Sequence, residues 1–311
     1  MIPTNKKIER MIQIARLYYE EDMTQHLIAQ KMGISRPLVS QLLTEAKACG
    51  IVTIHISEIE NREALLHRQL LERFHLSEAV VVPDGSSPEE TDRAVASAVC
   101  QMFFQPGMTD RSVGLGCGAT LGLAADLAAS TPPRPTHQGQ MFPLIGGIAG
   151  SGRGCHTNEM VRVLSSKSGF RGADLFAPAL FANSNELSAA LETSPVRSIT
   201  DCWDRIDYAV VELADFPSRG NGPCPAEAAH CKAVGQLLAH CYNRQGDSVY
   251  PSTRAVLQAS LGQLRDAAQV TAVCSSHLSP ESVLGGLSLD VIDSLVLPIS
   301  LARRLLELSG N

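Results

Sequence analysis

The 311-residue chain carries 26 Lys and Arg against 32 Asp and Glu, a net charge of −6, with 44% hydrophobic and 19% charged residues. At about 150 residues per domain this length predicts two domains, and the composition excludes a disordered chain, a collagen-like repeat and a disulfide mini-scaffold. No apolar run approaches the roughly 18 residues of a membrane span, no leader-type apolar stretch opens the chain, and the nine cysteines contain no C-x-x-C pair. A cytoplasmic protein in a reducing compartment is expected.

The charge is unevenly shared. Residues 1–57 carry +2 and the remainder −8. A small basic head can dock on a polyanion while an acidic body handles something else.

In the head, Ile8, Met11, Ile12, Ile14, Ala15 and Leu17 recur at three- and four-residue steps, which predicts an amphipathic helix. Thr24 is placed to cap a short helix ending at Met32, and Gly33 supplies the left-handed turn that lets a following helix leave at a steep angle. Ile34 plugs the corner. Ser35 caps the next helix, Pro37 suits its first turn, and Leu38, Val39, Leu42 and Leu43 point inward. Arg36, Ser40, Gln41 and Thr44 are left outward, with Lys47 extending the face. Arginine can fork onto guanine, glutamine can bond adenine, and hydroxyls reach phosphate, so this pattern predicts a helix-turn-helix. Its candidate DNA-binding residues are Thr24, Gln25, Ser35, Arg36, Pro37, Ser40, Gln41, Thr44 and Lys47. The alternative is a three-helix protein-interaction cap. Residues 51–56 alternate like a short wing strand.

Residues 58–76 carry Leu65, Leu66, Leu70, Leu71 and Phe74 at helical spacing, which suits either a pairing helix in a dimer or packing on the chain's own body. The expected division is a DNA-binding domain at 1–57, a connecting helix at 58–78 and an effector and oligomerisation domain at 79–311. Strands are predicted at 79–82, 112–115, 140–145, 173–176, 207–213, 269–273 and 292–297, most of them separated by helices. The fold class is therefore α/β: a winged helix-turn-helix head, then a Rossmann-like alternating domain with a mainly parallel sheet. Ligands of such sheets bind beyond the carboxyl ends of the strands.

Two strand ends are glycine-rich. Gly114 to Thr120 leads into an apolar helix, so backbone N–H groups and the Thr120 hydroxyl are available to an anion or a sugar hydroxyl. The spacing is G-x-G-x-G with no acidic residue about 20 positions on, which argues against a dinucleotide site. Pro143 to Gly154 follows the next strand, ahead of His156, Thr157 and Asn158 at a helix start, and lacks a P-loop lysine. A tight turn at the first loop and a mobile second loop are the plainer alternatives. Cys224, His230, Cys231, His240 and Cys241 cluster in sequence, but their spacing matches no zinc pattern and they read as largely helical.

Several segments together resemble the SorC family of sugar-responsive bacterial transcriptional regulators: Ile14 to Tyr19, Met23-Thr24-Gln25 with Ile28-Ala29, Gly33 to Arg36 with Val39-Ser40 and Leu42-Leu43, and Gly50 to Ile54. In the body, Gly118-Ala119-Thr120, Pro143 to Gly147 with Asn158, and Ala177-Pro178-Ala179 match family segments, with fainter matches at Ala233-Val234-Gly235 and Gln245-Gly246. The resemblance marks Ser35 to Cys49 as the recognition helix. It implies an effector domain similar to sugar-phosphate isomerases and deaminases, a sugar or sugar-phosphate effector, and a homodimer or homotetramer on double-stranded operator DNA. No cofactor and no metal are implied. Implied effector-binding residues are Gly116, Cys117, Gly118, Ala119, Thr120, Gly146, Gly147, Asn158, Glu212, Ser275, Ser276 and Ser279.

Four positions depart from the family pattern. Gln41 replaces a basic residue, Glu212-Leu213-Ala214 stands for Gly-Ile-Gly, Cys274-Ser275-Ser276 lacks the lysine that follows Ala-Gly-Gly, and Leu297-Pro298-Ile299 replaces Thr-Asp-Glu. A pocket that loses a lysine and gains a glutamate suits a neutral or singly charged sugar better than a phosphate. Competing readings are an isomerase- or deaminase-like enzyme using His156, His277, Asp215 or Glu212, and a redox sensor at Cys117.

Overall fold

A computed structural model of the chain describes residues 5–19, 21, 23–48, 51–52, 62–105, 110–135, 137–149, 154, 156–216, 232–249 and 255–310. These form two compact units, Met1–Asn61 and Arg62–Asn311.

The first unit holds α1 (Asn5–Tyr19), α2 (Gln25–Met32) and α3 (Arg36–Ala48). Met11, Ile14 and Leu17 of α1 meet Ile28 of α2 and Val39, Leu42 and Leu43 of α3 in one buried cluster. The local chemistry explains the sharp α2–α3 corner. Thr24 Oγ1 accepts the Leu27 N–H at 3.4 Å, and Ser35 Oγ accepts the Leu38 N–H at 3.4 Å. Between them Gly33 sits at φ +63°, and Ile34 N–H reaches back to the Ala29 carbonyl at 3.0 Å. Ile51 and Val52 pack against this cluster, and the remainder of the expected wing, residues 53–56, lies outside the described residues.

The second unit is a twisted α/β sheet. Its central strands are β1 (Glu78–Val82), β2 (Ser112–Leu115), β3 (Gln140–Pro143), β4 (Arg171–Gly172), β6 (Tyr208–Asp215), β10 (Gln269–Cys274) and β11 (Ser294–Pro298), in the order β1-β11-β10-β6-β2-β3-β4 and all parallel. β7 (Gly235–Leu237) and β8 (His240–Tyr242) form an antiparallel extension of β6, and β5 (Leu180–Phe181) pairs with β9 (Ala255–Val256) in a separate ribbon. Strand side chains alternate between two cores, as the period of two demands. Val210, Val273 and Val296 face α5 (Pro88–Met102), α6 (Ala119–Ala129) and α7 (Thr157–Ser168). Val211, Ala272 and Leu295 face α4 (Arg62–Phe74), α9 (Ser194–Thr200), α10 (Leu261–Arg265), α11 (Pro280–Leu287) and α12 (Ile299–Ser309). The short helix α8 (Ser184–Leu191) lies between β5 and α9 in the chain.

The 58–78 segment contributes α4 to this second unit. Its Leu66 and Leu70 are buried, so the inner seam packs on the unit's own core, while Leu65 stays 46% exposed. One expected strand is corrected. Residues 173–176 alternate in burial but form no strand beyond Arg171–Gly172: Ala173 N–H still donates to the Met141 carbonyl at 2.9 Å, and from Leu175 a side chain supplies the bonds, as described below. His240 and Cys241, expected to be helical, lie on β8 because Leu238 turns the chain at φ 52°.

Candidate DNA interface and effector site

On α3 the burial pattern separates two faces. Val39, Leu42 and Leu43 are buried, whereas Arg36, Pro37, Ser40, Gln41, Thr44 and Lys47 are exposed, as are Thr24 and Ser35, with Gln25 half-buried. Three contacts organise the exposed face. Gln41 Nε2 donates to Glu45 Oε1 at 3.0 Å, and Lys7 of α1 closes on the other Glu45 oxygen at 2.6 Å. Lys7 and then Gln41 hold the Glu45 carboxyl below the ordinary carboxylate range. Lys47 Nζ lies over the Tyr19 ring, 5.8 Å from its centre. The sequence reading missed Lys7 and Glu45, because their pairing depends on how α1 crosses α3.

At the first glycine loop a side chain takes the donors of Thr120 and Leu121. The Thr120 and Leu121 N–H groups donate to Glu212 Oε2 at 2.9 and 3.0 Å, and Thr120 Oγ1 lies 3.2 Å from Glu212 Oε1. A carboxylate reaching across from β6 thus occupies the positive end of α6. Burial pushes the Glu212 carboxyl up to about 7, against the downward pull of the Leu121 and Thr120 donors; the Asp92 charge pushes it further up. For Thr120 and Leu121 this corrects the expectation of open donors. It also gives the glycines a packing reason: a methyl at Gly118 would collide with the Glu212 carboxylate, and one at Gly116 would press on Leu238 and the Val211 backbone. Cys117 is buried, and Ala119 opens α6.

The second loop is knitted to the segment that follows β4. Gly147 exchanges backbone bonds of 2.8 Å with Ala177 and Ala179, and Gly146 N–H donates to the Leu257 carbonyl at 2.9 Å. Asn158 binds both backbone groups of Leu175, accepting its N–H at 2.9 Å and donating to its carbonyl at 3.1 Å. A cavity of about 420 Å³ opens here, lined by Ile145, Gly147, His156, Thr157, Asn158, Glu159, Arg162, Asp174 and Phe176. Of the expected effector residues it gathers Gly147 and Asn158. Residues 150–153 and Cys155 lie outside the described residues.

Beyond β10, Ser276 N–H donates to Asp92 at 2.6 Å, and Ser279 caps α11 while its hydroxyl donates to Asp215 Oδ1 at 2.7 Å. Ser275 is half-buried beside them. Asp215 and Glu212, two candidate catalytic groups, are therefore bound to hydroxyl and amide donors within the fold, while His156 and His277 are exposed. Among the described residues no group of three His, Cys, Asp or Glu side chains is arranged to hold a metal ion; Cys224, His230 and Cys231 lie outside them. No described helix is long and apolar enough to cross a membrane.

A helix-turn-helix head with a polar third helix, joined to a parallel α/β unit with glycine loops at its strand ends, defines a DNA-binding transcriptional regulator with an effector domain. The family model described as "Putative sugar-binding domain" matches residues 59–307, and "Sigma-70, region 4" matches 9–49. The chain belongs to this sugar-binding-domain family, as a regulator of the SorC type. It is 27% identical to the sorbitol operon regulator of Klebsiella pneumoniae, over 96% of this chain and 98% of that protein. It is 29% identical to the deoxyribonucleoside regulator of Bacillus subtilis, over 58% of this chain and 57% of that protein. The crystal structure of the full-length Klebsiella regulator, SorC, superimposes with a TM-score of 0.77 at 26% identity, covering 97% of this chain and all of that one.

Proposed function

We propose that the chain controls a carbohydrate-utilisation operon by reading double-stranded operator DNA with α3 and answering to an unphosphorylated sugar or polyol in its second unit. The carrying observation is the exposure of Arg36, Ser40, Gln41 and Thr44 on a helix whose opposite face is buried. Arg36 and Gln41 reach base edges, while Thr24, Gln25, Ser35, Pro37, Ser40, Thr44 and Lys47 line the phosphate-facing surface. The relative named for a sorbitol operon supports carbohydrate control. Glu212 on the α6 N-terminus supports an effector without a phosphate, because a dianion there meets a carboxylate in place of open donors. Gly116 to Thr120, Gly146, Gly147, Asn158, Ser275, Ser276 and Ser279 frame the effector region. The protein acts as a cytoplasmic homodimer or homotetramer, without a cofactor and without catalysis of its own.

Sugar binding changes DNA affinity only by preferring one arrangement of the oligomer. Gly118→Asp tests the separation of the two tasks. The new carboxylate collides with Glu212, and Gly118 also donates its N–H to the Gly154 carbonyl at 3.1 Å, so the second loop shifts with it. Fluorescence anisotropy should show DNA affinity retained and the sugar response lost. Loss of both in a folded variant contradicts the proposal.

A further inference from the structure

We infer that Lys7 and Glu45 are positioning residues for sequence reading: Lys7 of α1 holds the Glu45 carboxylate, Glu45 takes the amide nitrogen of Gln41, and Gln41 is thereby set to accept an adenine in the major groove and to reject a guanine. The inference rests on the DNA-reading role of α3 proposed above and names what fixes one of its reading side chains. Gln41 and Glu45 stand four positions apart on α3, so their side chains meet on one face of the helix. Gln41 Nε2 donates to Glu45 Oε1 at 3.0 Å, and Lys7 Nζ lies 2.6 Å from Glu45 Oε2. Both carboxylate oxygens are thus engaged within the head, so Glu45 acts through Gln41 rather than on a base. Lys7 and then Gln41 favour its charged form, and a charged carboxylate only accepts hydrogen bonds.

That restriction decides which way the Gln41 amide points. In an unanchored glutamine, half a turn about the last torsion exchanges oxygen and nitrogen at little cost, so the side chain suits several bases. Beside Glu45 the two orientations are unequal. One makes a charge-assisted hydrogen bond, while the other sets the amide oxygen against a carboxylate oxygen. The nitrogen therefore stays on Glu45, and Oε1 with the second N–H is left for a base, on a residue that is exposed. Adenine offers its N6 amino group and N7 acceptor in the major groove, the complement of that pair. Guanine offers O6 and N7, both acceptors, and its O6 meets Oε1. Lys7 has a second effect: it neutralises a carboxylate on the helix that faces DNA, where an uncompensated charge repels phosphates.

Selection from a randomised double-stranded DNA library, sequenced after capture by the full chain, tests this on the wild type, Gln41→Ala, Glu45→Ala and Lys7→Ala. Gln41→Ala should erase the preference at one position of each half-site, and at that position the wild type should select an A·T pair. Glu45→Ala releases the amide, so the ratio of A·T to G·C there should fall about tenfold while the preference at other positions stays. Lys7→Ala should shift the same ratio in the same direction. Any change in overall affinity caused by the altered charge cancels in this ratio. An unchanged ratio in Glu45→Ala or Lys7→Ala overturns the inference, as does a wild type that selects another pair at the Gln41 position or a Gln41→Ala variant that keeps every preference. Equal loss of preference at all positions in Glu45→Ala marks a merely structural role and overturns it too. In each of these cases a sequence selected by the wild type leaves the DNA-reading proposal standing; no selected sequence overturns both.

Discussion

Glu212 concentrates the chemistry of the second unit in one side chain. Three donors at the start of α6 favour its charge, yet burial opposes it more strongly, and its proton is held to about pH 7 rather than 4.5. Through that window the folded chain binds more protons than the unfolded one, so the stability Glu212 contributes is complete below about pH 4.5 and is lost as pH rises to about 7. The difference corresponds to about 3 kcal/mol. Glu212→Gln removes this titration. In urea denaturation, the stability of the wild type should fall relative to that of the variant as pH rises from about 4.5 to about 7.5, and parallel profiles would contradict the assignment. Asn158 makes a related point. The family resemblance implies Asn158, at a helix start, as an effector residue; its amide bonds the backbone of Leu175, and the hydroxyl with no partner among the described residues belongs to its neighbour Thr157. A residue type announces its bonding capacity in the sequence; which partner uses that capacity depends on a contact 17 residues away.

At the scale of elements, the first unit was the more legible because its geometry is written in adjacent residues. Caps at Thr24 and Ser35 and the left-handed Gly33 act within three or four positions, and the structure places α2 and α3 accordingly. Gly33 has open space where a Cβ would stand, so Gly33→Ala meets backbone strain alone and should cost about 1 kcal/mol. Hydrogen exchange should then show weaker protection of α2 and α3 with the second unit unchanged; equal loss in both units would contradict this. In the second unit the β-rich runs marked the parallel strands, since buried apolar stretches are their signature. Residues 173–176 have the same alternation, yet the ladder stops after the Ala173 bond to Met141, and at Leu175 Asn158 supplies the bonds a strand partner would have supplied. The β7–β8 hairpin was not anticipated. Its three-residue strands are too short for a period, and its turn uses Leu238 at φ 52° rather than glycine.

For the whole molecule, the basic head counted over residues 1–57 does not coincide with a folded unit: the first unit runs to Asn61 and takes in Glu58 and Glu60, so it is neutral and the second unit carries the −6. In the function proposed above the two tasks join through linkage: a sugar that favours one arrangement of an oligomer would alter DNA affinity by the ratio of its affinities for the two arrangements. The proposed function requires α3 to be the element that reads sequence. Arg36 is exposed at its first turn, where a fork onto a guanine is worth about 1–3 kcal/mol of discrimination. Sequencing the genomic DNA that co-purifies with the full-length chain and with Arg36→Ala measures this directly. The wild type should be enriched for a small set of sites beside carbohydrate genes, and the variant should lose that enrichment while its second unit still binds sugar; the same sites recovered with equal enrichment from both would contradict the account.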